Sequence, residues 1–181
     1  MFRWMTAALI VFGVLALPAS HADAQQVSIV ALGASNTYGK GRGQTPGGVD
    51  PGRAYPAQLQ AMLKAKGYDA RVRNAGVPGD TTGGMLARLA SAVPNGTQIV
   101  ILQPGGNDAR RGTDAGQRSA NISEMQRRLQ ARGIRVILLE RILSLVPSAS
   151  RDPDGQHFDA RGHAAVAAHL VPQVIAAIGK R

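Results

Sequence analysis

Short apolar runs alternate with longer amphipathic segments through most of this chain, from about residue 27 onward. Four of the runs have the length and the apolar content of buried strands. These predicted strands are Val27–Leu32, Arg71–Asn74, Gln98–Gln103 and Arg135–Leu139, the second being the weakest candidate. Because the segments between them have helical periodicity, the pattern predicts an α/β fold in three layers, a parallel sheet with helices on both faces.

The helices are predicted from apolar residues that recur every three or four positions and from the residues that begin or end such stretches. One helix begins near Pro56 and ends at Gly67, and a short one runs from Thr81 or Thr82 to Leu89. The two longer predicted helices are Ala120–Arg132 and Ala160–Ile178.

Residues 1–24 have the layout of a secretory signal peptide. Arg3 precedes an apolar segment, Ala7–Leu17, which is followed by Ala22-Asp23-Ala24, a small-residue pattern typical of a cleavage site. The apolar segment has about 11 residues, well short of a bilayer span. We therefore expect an exported protein, periplasmic or secreted, with cleavage after Ala24 and a single domain over residues 25–181.

Composition and charge narrow the classes of function. The chain of 181 residues has no cysteine, which excludes disulfides, thiolate zinc sites and cysteine nucleophiles. Its 21 Lys and Arg against 11 Asp and Glu give a net charge of +10, and losing Arg3 and Asp23 with the leader leaves that value unchanged. This charge suits an anionic partner. We expect this partner to be a membrane surface and not a nucleic acid. Aromatic residues, which stack on bases in many nucleic-acid-binding proteins, make up only 4% of the chain.

Polar residues and glycines cluster in the loops that follow the first three predicted strands. Since the carboxyl ends of parallel strands meet at one rim, where such folds bind ligands, these loops should lie close together. In chain order, the three loops contain Gly33-Ala34-Ser35-Asn36, Asn74-Ala75-Gly76-Val77-Pro78-Gly79-Asp80-Thr81 and Gly105-Gly106-Asn107-Asp108. A fourth polar segment, near the C-terminus, is Asp154-Gly155-Gln156-His157.

Together these segments contain the residue types that acyl transfer needs. A serine can attack a carbonyl carbon, a histidine can take its proton, an aspartate can orient the imidazole, and amide donors can hold the oxyanion. The three-residue spacing lets one loop present Asp154 and His157 to each other. Each segment alone is typical of a turn or a surface pair, whereas all four in order favour a hydrolase. His163 and His169, six residues apart, are interpreted as packing or surface residues.

The four segments resemble the sequence blocks of the SGNH hydrolases, also called the GDSL esterases and lipases, and the resemblance covers nearly all of the chain after the leader. It implies a flavodoxin-like sheet in an α/β/α sandwich and a serine esterase that uses no metal and no cofactor. By matching position it implies that Ser35 is the nucleophile, His157 the general base and Asp154 its orienting carboxylate. The backbone N–H groups of Ser35 and Gly79 and the side-chain amide of Asn107 would form the oxyanion hole.

Three features depart from the family's pattern. Ala34 stands where the first block usually has aspartate, and Phe158 stands where a proline often follows the histidine. The link Arg141–Pro153 is short for the helix and strand that the family commonly places there, which leaves open whether a last strand forms. We expect these departures to affect the substrate range and not the type of reaction.

Different classes of function follow from these observations. One is an esterase acting on small carboxylic esters, thioesters or lysophospholipids, or a carbohydrate acetyl esterase of the same fold. Another is a catalytically idle scaffold that binds glycan or lipid, and a third is a nucleic-acid binder, suggested by charge alone. We favour the esterase because a binding protein has no need to keep Ser35, Asp154 and His157 together.

Overall fold

A computed structural model describes residues 26–41 and 48–179, so the predicted signal peptide lies outside the described residues. Four strands form one sheet in the part of the chain that the structure describes. Each strand agrees with a predicted one to within two residues at either end. The strands are β1 (Val27–Gly33), β2 (Ala70–Gly76), β3 (Ile99–Gln103) and β4 (Arg135–Leu138).

The strand order is β2-β1-β3-β4, and all neighbours are parallel. The predicted parallel α/β fold is therefore confirmed. In the register, Gly33 at the end of β1 is paired with Gly76 of β2 and with Gln103 of β3. The three strands end at the same level, so the loops that follow them begin at one rim.

The link after β4 forms two short 3-10 turns, Ile142–Leu145 and Ser148–Ser150, and within the described residues it adds no strand to the sheet. An isolated antiparallel bridge between Arg151 and Phe158 is its only β pairing in that part of the structure. The sheet thus ends at β4, and the last strand that the sequence left open is absent from the described residues.

The helices lie on both faces of the sheet. Helix α6 (Ala115–Ala131) begins five residues earlier than predicted, because Asp114 caps it by accepting the backbone N–H of Gln117 at 2.8 Å. The predicted Thr81–Leu89 helix breaks at Arg88 into two pieces. The helices of the described residues are α1 (Ser35–Tyr38), α2 (Tyr55–Ala65), α3 (Thr82–Ala87), α4 (Leu89–Ala92), α5 (Asn107–Arg110), α6 (Ala115–Ala131) and α7 (Ala160–Gly179).

Alternate residues of the central strands belong to two separate cores. Ile29 and Ile101 pack with α2 and α7, whereas Val30 and Leu102 pack with α3, α4 and α6. Because both faces of these strands are buried, their sequences are continuously apolar and do not alternate.

Helix α7 is long and apolar enough to cross a bilayer, judged by length and composition alone. Its residues Val166, Leu170 and Val174 are fully buried, and they belong to the core that α2 and the sheet also form. We therefore interpret α7 as a core helix of the sandwich.

The close approach of α1 to the end of β2 depends on Gly76. A Cβ at this residue would stand 2.1 Å from the backbone nitrogen of Tyr38 and 2.7 Å from its Cα. Backbone atoms cannot rotate away from such a contact as a flexible side chain can. Any larger residue would therefore push α1, the helix that begins at Ser35, away from the sheet.

We predict that Gly76→Ala lowers the free energy of unfolding by about 1–3 kcal/mol, the range for overpacked sites. Gly83→Ala, in α3, is a matched control because a Cβ there meets no atom closer than 3.7 Å. Alanine also favours a helix over glycine by about 1 kcal/mol, so the control should be neutral or stabilising. Urea unfolding followed by far-UV circular dichroism measures both, and equal midpoints would contradict this packing.

His163 of α7 is fully buried between two aromatic rings. Its ring centroid lies 6.5 Å from that of Tyr55 and 4.5 Å from that of Phe158, and its Nδ1 accepts the backbone N–H of Tyr55 at 3.2 Å. Burial lowers the pKa of His163 to about 4, although the carboxylates of Asp159 and Asp152 act to raise it. The side chain is a neutral packing residue, one of the two interpretations that the sequence allowed.

We predict that this burial makes stability fall as the pH drops from about 6.5 to about 4. In that interval the histidine of the unfolded chain gains a proton while the buried His163 stays neutral. The pKa difference corresponds to a loss of about 3 kcal/mol. Urea unfolding across this pH range should show a smaller loss for His163→Gln than for the parent chain. His169→Gln, at an exposed position of the same helix, is the control. Identical pH profiles for His163→Gln and the parent would contradict the prediction.

Candidate active site

Ser35 is the first residue of α1, directly beyond the carboxyl end of β1. The chain turns sharply after this helix, because Gly39 has a φ of +106° and its N–H donates to the carbonyl of Ser35. Thr37 on the buried side of α1 donates from its hydroxyl to Oε1 of Gln103 at 3.0 Å. The short helix is thereby attached to the end of β3, and the serine projects from a fixed position on the rim.

The structure brings the three side chains of the predicted triad together across 122 residues of sequence. Nε2 of His157 is 2.9 Å from Oγ of Ser35, and Nδ1 of the same ring is 2.5 Å from Oδ2 of Asp154. Hydrogen bonds on both ring nitrogens fix the plane of the imidazole. When Nδ1 carries the proton shared with the carboxylate, Nε2 is free to accept a proton from the serine.

Asp154 is held as a carboxylate by its own loop. Its Oδ1 accepts the backbone N–H groups of Gln156 at 2.8 Å and His157 at 3.0 Å. Desolvation acts to raise the pKa of Asp154, but the hydrogen bond from the His157 ring and these two backbone donors bring it down to about 2. The group is therefore ionised at neutral pH, so it can orient the ring and stabilise an imidazolium.

Asn36 connects the serine to the histidine loop, a role that sequence reasoning missed. Its Nδ2 donates to the backbone carbonyl of Gln156 at 3.1 Å, so residues next to Ser35 and His157 are tied to each other. Its Oδ1 is buried and has no hydrogen-bond partner among the described residues. The only signal in the sequence was its position directly after the candidate nucleophile.

Asn107 is the first residue of α5, and its amide is held from both ends. Nδ2 donates to the backbone carbonyl of Asp80 at 2.6 Å, and Oδ1 accepts from Nη2 of Arg110 at 2.6 Å. One hydrogen of Nδ2 is used by Asp80, and the second remains for another acceptor. The loop after β2 is thus attached to the loop after β3 through this amide.

The loop after β2 is held at the rim by an ion pair. Oδ2 of Asp80 accepts from Nε of Arg88 at 2.7 Å, and Nη2 of Arg88 donates to the carbonyl of Gly33 at 3.1 Å. Gly79, just before the aspartate, has a φ of +78°, in the left-handed region that favours glycine. The predicted oxyanion residues Ser35, Gly79 and Asn107 therefore all lie on segments that meet at the end of β1.

A buried polar network below the rim also escaped the sequence analysis. Both carboxylate oxygens of Asp108 accept the N–H of Thr82, and Oδ1 also accepts its hydroxyl at 2.6 Å. Nδ2 of Asn121 in turn donates to that hydroxyl at 3.1 Å. The network joins α3, α5 and α6 beneath the loops, and no local pattern reveals partners that lie so far apart in the sequence.

Ser35 and Asn107 line a cleft of about 390 Å³. No group of three or more histidine, aspartate or glutamate residues that could hold a metal ion occurs in the described ranges. The other lining residues include Gln103, Pro104 and the two glycines at 105 and 106, together with Ile142 and Leu143 from the link after β4. The loop after β3 and the link after β4 thus both contribute to the cleft at the serine.

Comparison with known proteins decides the family. The model of the GDSL-like lipase/acylhydrolase family matches residues 31–178, which is most of the chain. The chain belongs to this family. Esterase TesA of Pseudomonas aeruginosa is 35% identical over 133 residues, 73% of this chain and 63% of the relative. An arylesterase of Vibrio mimicus is 32% identical over 89 residues, 49% of this chain and 44% of the relative. The chain thus spans less than two thirds of the length of these curated relatives.

Two solved structures share the fold of this chain. A crystal structure of TesA superposes with a TM-score of 0.72 at 24% identity, covering 83% of this chain and 99% of that one. The esterase EstA from Pseudoalteromonas gives a TM-score of 0.70 at 16% identity, covering 84% and 99%. These likenesses support the three-layer architecture around the cleft.

Two departures from the family's sequence pattern have structural explanations. Ala34, in place of the usual aspartate, is 2% exposed and belongs to the apolar core under α3, α4 and α6. Phe158, in place of the proline, is fully buried and packs against His163. Both positions serve packing in this member of the family, and neither substitution removes a member of the predicted triad.

Proposed function

We propose that this protein is a serine esterase that hydrolyses carboxylic esters through an acyl-enzyme. The observation that carries the proposal is the continuous hydrogen-bonded chain from Ser35 Oγ through His157 to Asp154, with contacts of 2.9 Å and 2.5 Å. The family membership supports it, and so do the names of two relatives, an esterase and an arylesterase. The substrate class comprises small carboxylic esters, thioesters and lysophospholipids, with acetylated carbohydrate as the alternative.

The first half of the reaction transfers the acyl group to the enzyme. Nε2 of His157 takes the hydroxyl proton as Oγ of Ser35 bonds to the carbonyl carbon, and the carbonyl oxygen becomes negative. The free N–H of the Asn107 amide, with the backbone N–H groups of Ser35 and Gly79, donates to this oxygen. The imidazolium then gives its proton to the departing alkoxide, which leaves as the alcohol.

The second half returns the enzyme to its starting state. His157 takes a proton from a water molecule, whose oxygen attacks the acyl carbon of the Ser35 ester. The tetrahedral intermediate again places its negative oxygen among the same donors. As it collapses, the proton on His157 passes to Oγ of Ser35 and the carboxylic acid leaves. Asp154 remains ionised throughout and stabilises the imidazolium of both halves.

The hydrolase is proposed to act outside the cytoplasm, after export directed by residues 1–24. Its net charge of +10 would also favour electrostatic association with an anionic membrane surface. Both proposals rest on the sequence. The idle binding scaffold is the weaker alternative, because the serine, the histidine and the aspartate keep the contacts that proton transfer needs.

Covalent labelling tests the nucleophile. A fluorophosphonate should modify Ser35 and abolish ester turnover, because only an activated serine reacts with this reagent. Ser35→Ala should be neither labelled nor active while it unfolds at the same urea concentration as the parent. Ser91→Ala, an exposed serine on α4, is the matched control and should behave as the parent does. Intact mass spectrometry shows the adduct, and labelling that persists in Ser35→Ala would overturn the assignment.

Substitutions at Asn107 test the oxyanion hole. Asn107→Ala is expected to lower kcat by about 10²–10³-fold with little change in KM, because the donor acts on an oxygen that becomes negative only in the transition state. Asn107→Asp should be at least as severe, since a carboxylate repels that charge and also faces the carbonyl of Asp80. Steady-state kinetics and urea unfolding should be measured together. A stable Asn107→Asp variant with near-normal kcat would refute the role.

A further inference from the structure

Three arginines, Arg110, Arg118 and Arg141, are among the residues that line the cleft beside Ser35. No aspartate or glutamate is among the described residues that line it. Some arginines elsewhere on the described surface are paired closely with a carboxylate. Arg127 and Arg128, for example, both pair with Glu124 at 2.7–2.8 Å. The cleft therefore concentrates three positive charges without a carboxylate among the described residues of its lining.

Arg141 is available to a ligand. Its side chain makes no hydrogen bond or ion pair with any residue that the structure describes. It also has a φ of +50°, the only positive φ of a non-glycine residue in the described ranges. Such a conformation is unfavourable for a long side chain, and backbone strain of this kind concentrates at ligand sites. The carbonyl of Arg141 accepts both the N–H and the hydroxyl of Ser144 at 2.8 Å, which holds the residue in place.

Arg118 is only partly neutralised. Its nearest carboxylate oxygen, from Glu140, is 3.4 Å from Nη2, and the Glu140 side chain is 49% exposed to solvent. An exposed pair at this distance is weak, so the guanidinium retains the capacity to bind a second anion. Arg110 differs, because its Nη2 already donates to Oδ1 of Asn107. We assign Arg110 to positioning of the oxyanion amide and the other two arginines to the ligand.

We propose that the cleft selects esters that carry a second, negatively charged group, a carboxylate, which Arg118 and Arg141 bind while the ester carbonyl lies at Ser35. A guanidinium matches a carboxylate with paired N–H donors, and two guanidinium groups in one cleft can bind the same anion. The apolar side chains of Ile142 and Leu143 line the same cleft and suit the hydrocarbon between the two ends. This substrate class rests on the proposed esterase activity.

Matched pairs of esters test the selection. In the acyl pair, 4-nitrophenyl hydrogen adipate is compared with 4-nitrophenyl hexanoate, whose acyl chain has the same length and no charge. In the alcohol pair, 4-acetoxybenzoate is compared with 4-acetoxybenzamide. The readout is the ratio of kcat/KM for the anionic ester to that for the neutral one, after subtraction of spontaneous hydrolysis. The pair with the larger ratio shows whether the charge belongs to the acyl or the alcohol side.

In one of the pairs the parent chain should prefer the anionic ester by about tenfold at low salt, and high salt should reduce this preference. Arg118→Gln and Arg141→Gln should each lower the ratio by about threefold to fivefold, the size expected for one partly exposed charge contact. Glutamine removes the charge and leaves the helical and left-handed backbones in place. Arg71→Gln is the control and should leave the ratio unchanged, because Arg71 is exposed at the amino end of β2, away from the rim that holds the cleft.

Binding without turnover separates this inference from the proposed activity. Calorimetric titration of Ser35→Ala with 4-nitrophenyl hydrogen adipate and with the hexanoate ester should show tighter binding of the anion, which Arg141→Gln weakens. Hydrolysis of all four esters with ratios that the arginine variants do not change would overturn the anion binding and leave the esterase standing. Arginine-dependent binding of the adipate ester without any hydrolysis would refute the esterase and keep the anion binding.

Discussion

The parallel pairing of β1 with both β2 and β3 is the constraint on which the site depends. Gly33 lies level with Gly76 on one side and with Gln103 on the other. The three loops that carry the serine, the glycine turn and the asparagine therefore start from one line of backbone hydrogen bonds. A slip of one residue in either pairing would send the side chains of that strand to the opposite core and move its loop away from the others. Burial of both faces of the sheet thus fixes the strand register, and with it the level at which the three loops begin.

Hydrogen bonds between the loops, in addition to the strand pairing, hold the rim of the site together. Thr37 attaches the serine helix to β3, Arg88 attaches the glycine loop to β1, and Asn107 attaches the loop after β3 to the carbonyl of Asp80. Each contact joins segments that are distant in the sequence and consumes donors that would otherwise rotate freely. Preorganised dipoles of this kind need no rearrangement when charge develops on a substrate. The same contacts that stabilise the rim thus also orient its donors.

The sequence predicts the features that depend on neighbouring residues, and it does not predict contacts between residues far apart in the chain. Buried strands appear as short apolar runs and long helices show their period within a dozen residues, and the order of the four blocks predicts that Ser35, Asp154 and His157 act together. Helices α1 and α5 have four residues each, too few to show a period. The bonds of Asn36 to Gln156 and of Thr82 to Asp108 connect residues 120 and 26 positions apart. Only the folded chain reveals such partners.

The shortened link after β4 changes the wall of the cleft without loosening the triad. The histidine loop does not depend on a fifth strand, because the carbonyl of His157 accepts the N–H of Asp152 at 2.8 Å and Asn36 holds the carbonyl of Gln156. The link instead turns at Arg141 and brings Ile142 and Leu143 to the cleft. The same short segment omits a strand and supplies Arg141 and two apolar residues to the cleft. The wall of the cleft can therefore vary while the hydrogen bonds among Ser35, His157 and Asp154 keep their geometry.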